Sequence, residues 1–184
     1  MNEASAIRLC LASGDPRGFE FLVKQYGREA YFHALGFVGD SSTAEDMCQE
    51  SFAKAYANIP RLKTLGAFYP WFYIILRNTC FNHLRSLKPQ APDHGLLDFS
   101  TDPISLVQGG DEREMVWETL GCLKPEFREI LIFKHLQDKS YADISNILQI
   151  PRGTVMSRLY HARKAFRITY QQLEENKHGL RTLP

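Results

Sequence analysis

The chain has 184 residues, 44% of them hydrophobic and 12% aromatic, so it is long enough to bury the core of one domain or of two small ones. Its formal net charge is +1, so overall charge neither favours nor excludes a polyanionic partner. The four cysteines lie far apart in apolar stretches, and we expect buried thiols and no metal or other cofactor. Because no secretion-signal pattern and no membrane-length apolar run occurs, we expect a cytoplasmic protein.

Helical periodicity dominates the N-terminal half, and no convincing pair of strands is present. Apolar residues recur at helical spacing over residues 19–26, after Asp15 and Pro16, which are typical of a helix cap and a first-turn proline. A second helix is predicted over residues 30–38, and Gly39 follows it as a helix stop.

Two further helices are predicted before the middle of the chain. The third begins at Ser42, since Ser42 with Glu45 three residues later fits a capping box, and it ends near Pro60. A loop then leads to a fourth helix over about residues 67–85, where Pro70 is tolerated because it lies in the first turn.

Periodicity disappears after this helix, in a segment rich in proline, glycine and aspartate. Such a composition is typical of a linker. We therefore predict an all-α fold with two small helical domains, residues 1–87 and 112–184, joined by a flexible acidic linker at residues 88–111.

The C-terminal half contains a helix-turn-helix pattern. A helix begins near Glu112, and Pro125 starts another, with Leu136 expected on its inner side. Ser140 with Asp143 caps a short helix, and a turn of three to four residues joins it to the last helix. In a helix-turn-helix the second helix lies in the major groove of DNA.

The charge of this last helix agrees with DNA binding. Five bases and no acid lie between Asp143 and Glu174, so a nearly neutral chain concentrates positive charge there. A solvated basic face is the simpler alternative, but it does not account for the turn pattern. The residues expected to point outward are Arg152, Ser157, Arg158, His161, Arg163 and Lys164.

A second stretch without acids runs from Glu50 to Asp93 and interleaves bases with aromatic residues. This pattern suits melted DNA, because bases stack on rings while cations follow the phosphates. We expect Trp71, Phe72 and Phe81 to lie mostly in the core. The polar residues recur at helical spacing and share one exposed face; they are Arg77, Asn78, Asn82 and Arg85.

The third helix carries an acidic and amide stripe formed by Asp46, Gln49 and Glu50, opposite its apolar face. Taken alone, the stripe is an ordinary solvated face. Residues 1–50 contain eight acids and four bases, so this region suits a basic protein surface better than DNA.

Three segments resemble one family, the extracytoplasmic-function sigma factors of bacteria. AEDMCQESFAKAYANI resembles the most recognisable helix of that family, and WFYIILRNTCFNHLRS resembles the promoter-reading helix that follows it. The segment from LKPEFREIL to YHARKAF resembles the family's C-terminal domain. The resemblance covers roughly residues 14–168.

The resemblance implies a non-enzymatic initiation factor that binds core RNA polymerase and promoter DNA, close to the nucleoid. Asp46, Gln49 and Glu50 would dock on the clamp helices of the largest polymerase subunit, and the polymerase flap and an anti-sigma protein would be further partners. The residues that would recognise and open the −10 element are Arg61, Lys63, Arg77, Asn78, Asn82 and Arg85. The residues that would read the −35 element are Arg152, Thr154, Met156, Ser157, Arg158, Tyr160, His161, Arg163 and Lys164.

Three residues depart from the family pattern. Met156 stands where a base is usual, His161 where arginine is frequent, and Asn82 where aspartate is common. We expect these departures to change the preferred promoter sequence and not the family to which the chain is similar.

Three alternative functions fit parts of the sequence. A helix-turn-helix regulator that binds duplex DNA without core polymerase accounts for the C-terminal half, but not for the stripe or the aromatic-basic stretch. An enzyme lacks support, because the six histidines are scattered and no nucleophile triad, phosphate loop or metal motif occurs. A helical adaptor gives no reason for two stretches without acids.

Overall fold

The computed structural model describes residues 1–13, 15–87 and 111–181. Every regular element within these ranges is helical, which confirms the all-α prediction. None of the described helices is long and apolar enough to cross a membrane. The predicted linker lies outside the described residues, except for Asp111, which begins a helix.

The described helices form two groups. The N-terminal bundle comprises α1 (Glu3–Ser13), α2 (Pro16–Val38), α3 (Ser41–Asn58), a 3₁₀ turn (Ile59–Arg61) and α4 (Phe68–Ser86). The C-terminal bundle comprises α5 (Asp111–Cys122), α6 (Pro125–Leu131), a π-helical segment (Ile132–Leu136), α7 (Tyr141–Leu148) and α8 (Arg152–Arg181).

Helix α2 is one continuous helix, so the prediction of two separate helices in this region is wrong. Its buried residues, including Leu22, Tyr26 and Ala30, continue at three- and four-residue spacing through the junction, so one apolar face serves the whole length. The predicted ends are confirmed. The Asp15 side chain accepts a hydrogen bond from the Arg17 N–H, and Gly39 adopts the left-handed conformation that ends the helix.

The cap of α3 differs from the prediction. Asp40, and not Ser42, precedes the helix in extended conformation, and its carboxylate accepts from the Thr43 N–H at 2.6 Å. A carboxylate at this position also interacts favourably with the helix dipole. This hydrogen bond lowers the pKa of Asp40 below its usual value.

In the C-terminal bundle, the capping box of α7 is confirmed, because Ser140 and Asp143 exchange side chain to backbone hydrogen bonds at 3.1 Å. The inward position predicted for Leu136 is wrong, since this residue is 41% exposed. The π-helical segment changes the angular spacing of residues and turns Leu136 away from the core.

Aromatic rings fill the centre of the N-terminal bundle. Phe52 and Phe72 stack at 4.3 Å between ring centroids, and Phe68 stacks on Phe72 at 5.6 Å. Phe72 is buried as expected, whereas Trp71 and Phe81 are only half-buried.

The burial predicted for the four cysteines is also correct only in part. Cys10, Cys48 and Cys80 are buried, but Cys122 is exposed, contrary to prediction. Cys122 is the last residue of α5, where the helix reaches the surface.

Helix α1 supports the start of α4 through Glu3. One carboxylate oxygen of Glu3 accepts from the Phe68 N–H at 3.1 Å, and the other accepts from the Tyr26 hydroxyl. Because Ala67 provides no side-chain cap, Glu3 supplies the acceptor that the first turn of α4 requires.

Arg128 is fully buried and connects the two bundles. Its guanidinium donates to the backbone oxygens of Leu120, Gly121 and Leu123 at the end of α5, at 2.6–3.0 Å. It also donates to the backbone oxygen of Gly36 in α2, at 2.6 Å. The same side chain therefore caps the C-terminal end of α5 and joins this helix to α2.

Replacing Asp40 by alanine is expected to lower the free energy of unfolding by about 1 kcal/mol, because the Thr43 N–H loses its acceptor. Replacing the exposed Ser42 by alanine is the matched control and is expected to change stability little. Urea unfolding of the two variants measures the difference. Equal losses would show that Asp40 is not the cap.

Candidate nucleic-acid and partner interfaces

The acidic stripe lies on the outer face of α3. Asp46, Gln49 and Glu50 are all exposed, while Met47 and Cys48 between them are buried. This arrangement follows from helical spacing, which puts positions three and four residues apart on one face. The stripe is thus free of core packing and suits contact with a basic surface.

A surface pocket of about 320 Å³ lies between the end of α3, the 3₁₀ turn and α4. It brings together three of the predicted −10 residues, namely Arg61, Asn78 and Asn82. The full lining consists of Lys54, Asn58, Arg61, Trp71, Ile75, Asn78, Thr79 and Asn82.

The chemistry of this pocket suits a nucleobase. Half-buried Trp71 and Ile75 provide an apolar wall, against which a base can stack. Asn78 and Asn82 provide amides that can pair with base edges. Lys54 donates to Thr79 Oγ1 at 3.2 Å. The lining therefore contains a cation that can bind a phosphate of the DNA backbone.

The other predicted −10 residues do not line the pocket. Lys63 and Arg85 are exposed, so they are accessible to phosphates. Arg77 lies elsewhere, because its Nε donates to Glu129 in α6 at 2.5 Å and its guanidinium lies 4.8 Å from the centre of the Phe81 ring.

Sequence reasoning missed five residues of the lining: Lys54, Asn58, Trp71, Ile75 and Thr79. Lys54 and Asn58 share a face of α3 at a spacing of four residues, which was the available signal. Trp71 was assigned to the core. Its place in the pocket depends on the approach of α3 to α4, which periodicity does not give.

The helix-turn-helix is formed by α7, a turn and α8. Gln149 ends α7 in the left-handed conformation, and the Ser145 hydroxyl donates to the backbone oxygen of Ile150 at 2.6 Å, which fixes the turn. Val155 and Leu159 of α8 are buried against the bundle, so the opposite face of α8 points outward.

Most of the predicted −35 residues lie on the outer face of α8. The exposed ones are Arg152, Met156, Ser157, Tyr160, His161, Arg163 and Lys164. Thr154 and Arg158 are half-buried. Met156 is 57% and Tyr160 66% exposed, so α8 presents apolar groups that can contact thymine methyls beside its cations.

Arg163 also contacts the π-helical segment. Its Nε lies 3.3 Å from Nε2 of His135. Partial burial lowers the pKa of His135, and the cations Arg163 and Lys134 lower it further. A neutral His135 can therefore accept a hydrogen bond from Arg163.

An apolar groove of about 790 Å³ lies between α5, the π-helical segment and α8. Its apolar lining is formed by Val116, Leu120, Leu131, Ile132, Leu136, Phe166 and Tyr170. Such a groove suits an apolar helix of a partner. Among the described residues no cluster of histidine, cysteine, aspartate or glutamate side chains could hold a metal ion.

Comparison with known proteins agrees with this geometry. The family model of sigma-70 region 2 matches residues 22–89, which include α3, the pocket and α4. The model of sigma-70 region 4 matches residues 113–166, which include the helix-turn-helix.

Curated relatives extend the similarity over most of the chain. The RNA polymerase sigma-H factor of Pseudomonas aeruginosa is 33% identical over 87% of this chain and 90% of its own length. The ECF RNA polymerase sigma-E factor of Salmonella typhimurium is 31% identical over 83% of this chain and 86% of its own length.

Two solved structures share the fold at 19% sequence identity. CnrH, solved in complex with the cytosolic domain of CnrY, has a TM-score of 0.69 over 92% of this chain and 97% of that one. The sigma factor RpoE of Bartonella quintana, solved in complex with the anti-sigma factor NepR, has a TM-score of 0.62 over 83% and 96%.

Both halves of the chain, in the expected order, therefore match the same family. The protein belongs to the extracytoplasmic-function subfamily of sigma-70 factors, which bind core RNA polymerase and direct it to promoters.

Proposed function

We propose that three surfaces of this sigma factor carry out separate steps of initiation: the acidic stripe, the α3–α4 pocket and the outer face of α8. The observation that carries the proposal is the pocket, which gathers Arg61, Asn78 and Asn82 beside Trp71. We assign the −10 and polymerase functions to a domain at residues 1–87 and the −35 function to a domain at residues 112–184, with residues 88–111 as the linker.

Asp46, Gln49 and Glu50 dock on the clamp helices of the polymerase in this proposal. All three are exposed, and the two carboxylates can pair with cations of the partner. The apolar groove between α5 and α8 receives the polymerase flap.

The pocket captures an unstacked base of the −10 element. Extruding a base costs a few kcal/mol, which stacking on Trp71 and hydrogen bonds from Asn78 and Asn82 offset. Lys54 and Arg61 contact the phosphates of the same strand, and Lys63, Arg77 and Arg85 extend the cationic track. Asn82 has no charge to repel DNA, unlike the aspartate common at this place in the family.

The outer face of α8 reads the −35 element as duplex. Ser157, Lys164 and Arg152 are exposed and suit phosphates and base edges. Met156 and Tyr160 favour sites with thymine methyls. Half-buried Thr154 and Arg158 lie at the edge of this face.

An anti-sigma protein is a further proposed partner, supported by the two solved relatives, one of which is described in complex with an anti-sigma factor. We further propose that the protein acts in the cytoplasm, at the nucleoid when bound to polymerase, and that it catalyses no reaction of its own. A regulator acting without polymerase is not favoured, since it leaves the stripe and the pocket without a role.

Replacing Asp46 by lysine is expected to weaken binding to core polymerase at least about tenfold, because a carboxylate becomes a repelling cation at the interface. Replacing Glu20 by lysine makes the same charge change on α2 and should leave binding unchanged; its partner Lys24 forms only an exposed pair. Fluorescence titration with core polymerase gives both affinities. Full affinity of the Asp46 variant would remove this residue from the interface.

Replacing Arg61 or Asn82 by alanine is expected to reduce open-complex formation roughly tenfold, since each loses a contact to the captured strand. Arg8, exposed on α1, provides the control substitution to alanine. Permanganate footprinting of holoenzyme on a promoter measures melted DNA directly. Wild-type melting by both pocket variants would assign the pocket a structural role only.

Replacing Lys164 by alanine is expected to weaken duplex binding and to reduce the steepness of log affinity against log salt by about 1. The reason is that the variant makes one phosphate contact fewer and therefore releases fewer counterions on binding. The exposed Lys124 at the start of α6 is the control in the same bundle. Titration of holoenzyme with −35 duplexes at several salt concentrations tests this. An unchanged slope would exclude a phosphate contact by Lys164.

A further inference from the structure

Trp71, which forms part of the apolar wall of the pocket, lies in the first turn of α4. Its N–H donates to the backbone oxygen of Ala67 at 3.3 Å, which is the first backbone hydrogen bond of this helix. Pro70 has no N–H, so the first turn offers only the N–H groups of Phe68 and Tyr69 to an outside acceptor. The position of Trp71 therefore depends on how the start of α4 is held.

Glu3 of α1 holds this first turn. One of its carboxylate oxygens accepts from the Phe68 N–H at 3.1 Å, and the other accepts from the hydroxyl of Tyr26 in α2. Burial raises the pKa of Tyr26, and the hydrogen bond to Glu3 raises it further, so the hydroxyl keeps the proton that it donates. A carboxylate at this place also interacts favourably with the positive end of the α4 dipole. Glu3 thus joins three helices at the end of α4 that carries Trp71.

Ring packing extends this restraint to Trp71. Tyr26 stacks on Phe68 at 5.6 Å and on Tyr69 at 5.1 Å between ring centroids. The ring of Phe68, which is fully buried, lies 6.0 Å from the Trp71 ring. Glu3 therefore fixes the backbone of Phe68, Tyr26 fixes its ring, and Trp71 packs on a residue whose position is determined twice.

Helix α1 lies at both ends of the loop at residues 62–67, which joins the 3₁₀ turn to α4. It contacts the 3₁₀ turn, which carries Arg61, and its Glu3 bonds to Phe68, the residue directly after the loop. Arg61 and Trp71 of the pocket are separated along the chain by this loop. We therefore expect a displacement of α1 to change the distance between them.

The position of α1 depends on a close approach to α2. A Cβ atom added at Gly18 of α2 would overlap the backbone oxygen of Ala6 and would lie 2.8 Å from Cys10 Sγ. Because a backbone oxygen cannot move aside as a flexible side chain does, any larger residue at Gly18 must push α1 away. Gly18 therefore allows the packing that brings Glu3 to the start of α4.

We propose that Glu3 is a positioning residue for promoter melting, which holds Trp71 and the loop at residues 62–67 in the geometry that captures an unstacked base. Glu3 does not line the pocket, and it acts through the start of α4. The effect on DNA rests on the proposed function of the pocket, whereas the positioning of Trp71 rests on the contacts of Glu3 within the chain.

The first measurement follows Trp71 without DNA. The chain has two tryptophans, so replacing the buried Trp117 by phenylalanine leaves Trp71 as the single reporter. In this background, Glu3→Ala is expected to increase acrylamide quenching of Trp71 fluorescence about twofold, because the first turn of α4 opens more often. Glu3→Gln should restore the original quenching, since its amide oxygen still accepts from Phe68 and its nitrogen can donate to the Tyr26 hydroxyl. Equal quenching in the alanine variant and its parent would overturn the positioning.

The second measurement is permanganate footprinting of holoenzyme on a promoter. Glu3→Ala is expected to reduce the melted fraction roughly tenfold, which is the loss expected when one base no longer stacks on its ring, and Glu3→Gln should restore it. Affinity for core polymerase and for −35 duplex should keep the wild-type value. Asp40→Ala is the control for the loss of a helix cap as such, because Asp40 caps the N-terminal end of α3 and the pocket lies at the other end.

A further variant changes the position of α1 and leaves Glu3 intact. Gly18→Ala should reproduce both effects of Glu3→Ala, and Gly27→Ala, where an added Cβ meets nothing within 4 Å, should reproduce neither. Wild-type quenching and melting by the Gly18 variant would overturn the proposal. An equal loss of melting in Asp40→Ala, or an equal loss of core affinity in Glu3→Ala, would also overturn it, since the role would then be structural only. Changed quenching with wild-type melting would refute base capture by the pocket and leave the positioning of Trp71 standing.

Discussion

One buried cation determines how the parts of this protein fit together. The guanidinium of Arg128 satisfies backbone oxygens at the end of α5 that would otherwise lack donors, and it bonds to Gly36 of the other bundle. Burial lowers the pKa of Arg128 to about 10, which still leaves it charged at neutral pH. A buried charge needs all of its partners, so α5, α6 and α2 must approach together. The position of the helix-turn-helix and the environment of Arg77 follow from this approach.

The fold was predictable where local chemistry determines it. The capping box at Ser140 and the cap at Asp15 depend on residues three or fewer positions apart, and both are confirmed. The predictions were wrong where the structure depends on packing along a whole helix or on contacts between residues distant in sequence. The continuous α2 depends on one buried face that runs through its centre, and the exposure of Leu136 depends on a π-helical turn that no sequence period indicates. Similarly, the role of Glu3 at the start of α4 spans 65 positions.

The candidate sites show the same limit. Helical spacing alone predicts the exposed stripe on α3 and the outward face of α8, because each lies on one helix. The pocket combines residues of two helices and a turn, so only three of its eight lining residues were anticipated. The partner of Arg77 lies 52 positions away, and no pattern in the sequence connects the two. The family resemblance implied roles for these residues, which stay predictions, and it gave no information on their contacts.

Lys54 has a consequence for how mutational data on this protein are interpreted. Its ammonium lies 2.6 Å from the Glu50 carboxylate in the stripe and 3.2 Å from the Thr79 hydroxyl in the pocket. Residues that share a partner do not have additive energies. A substitution at Glu50 therefore changes the lining of the pocket as well as the stripe. A double-mutant cycle between Glu50 and Thr79 would show coupling between two surfaces for which we propose different binding partners.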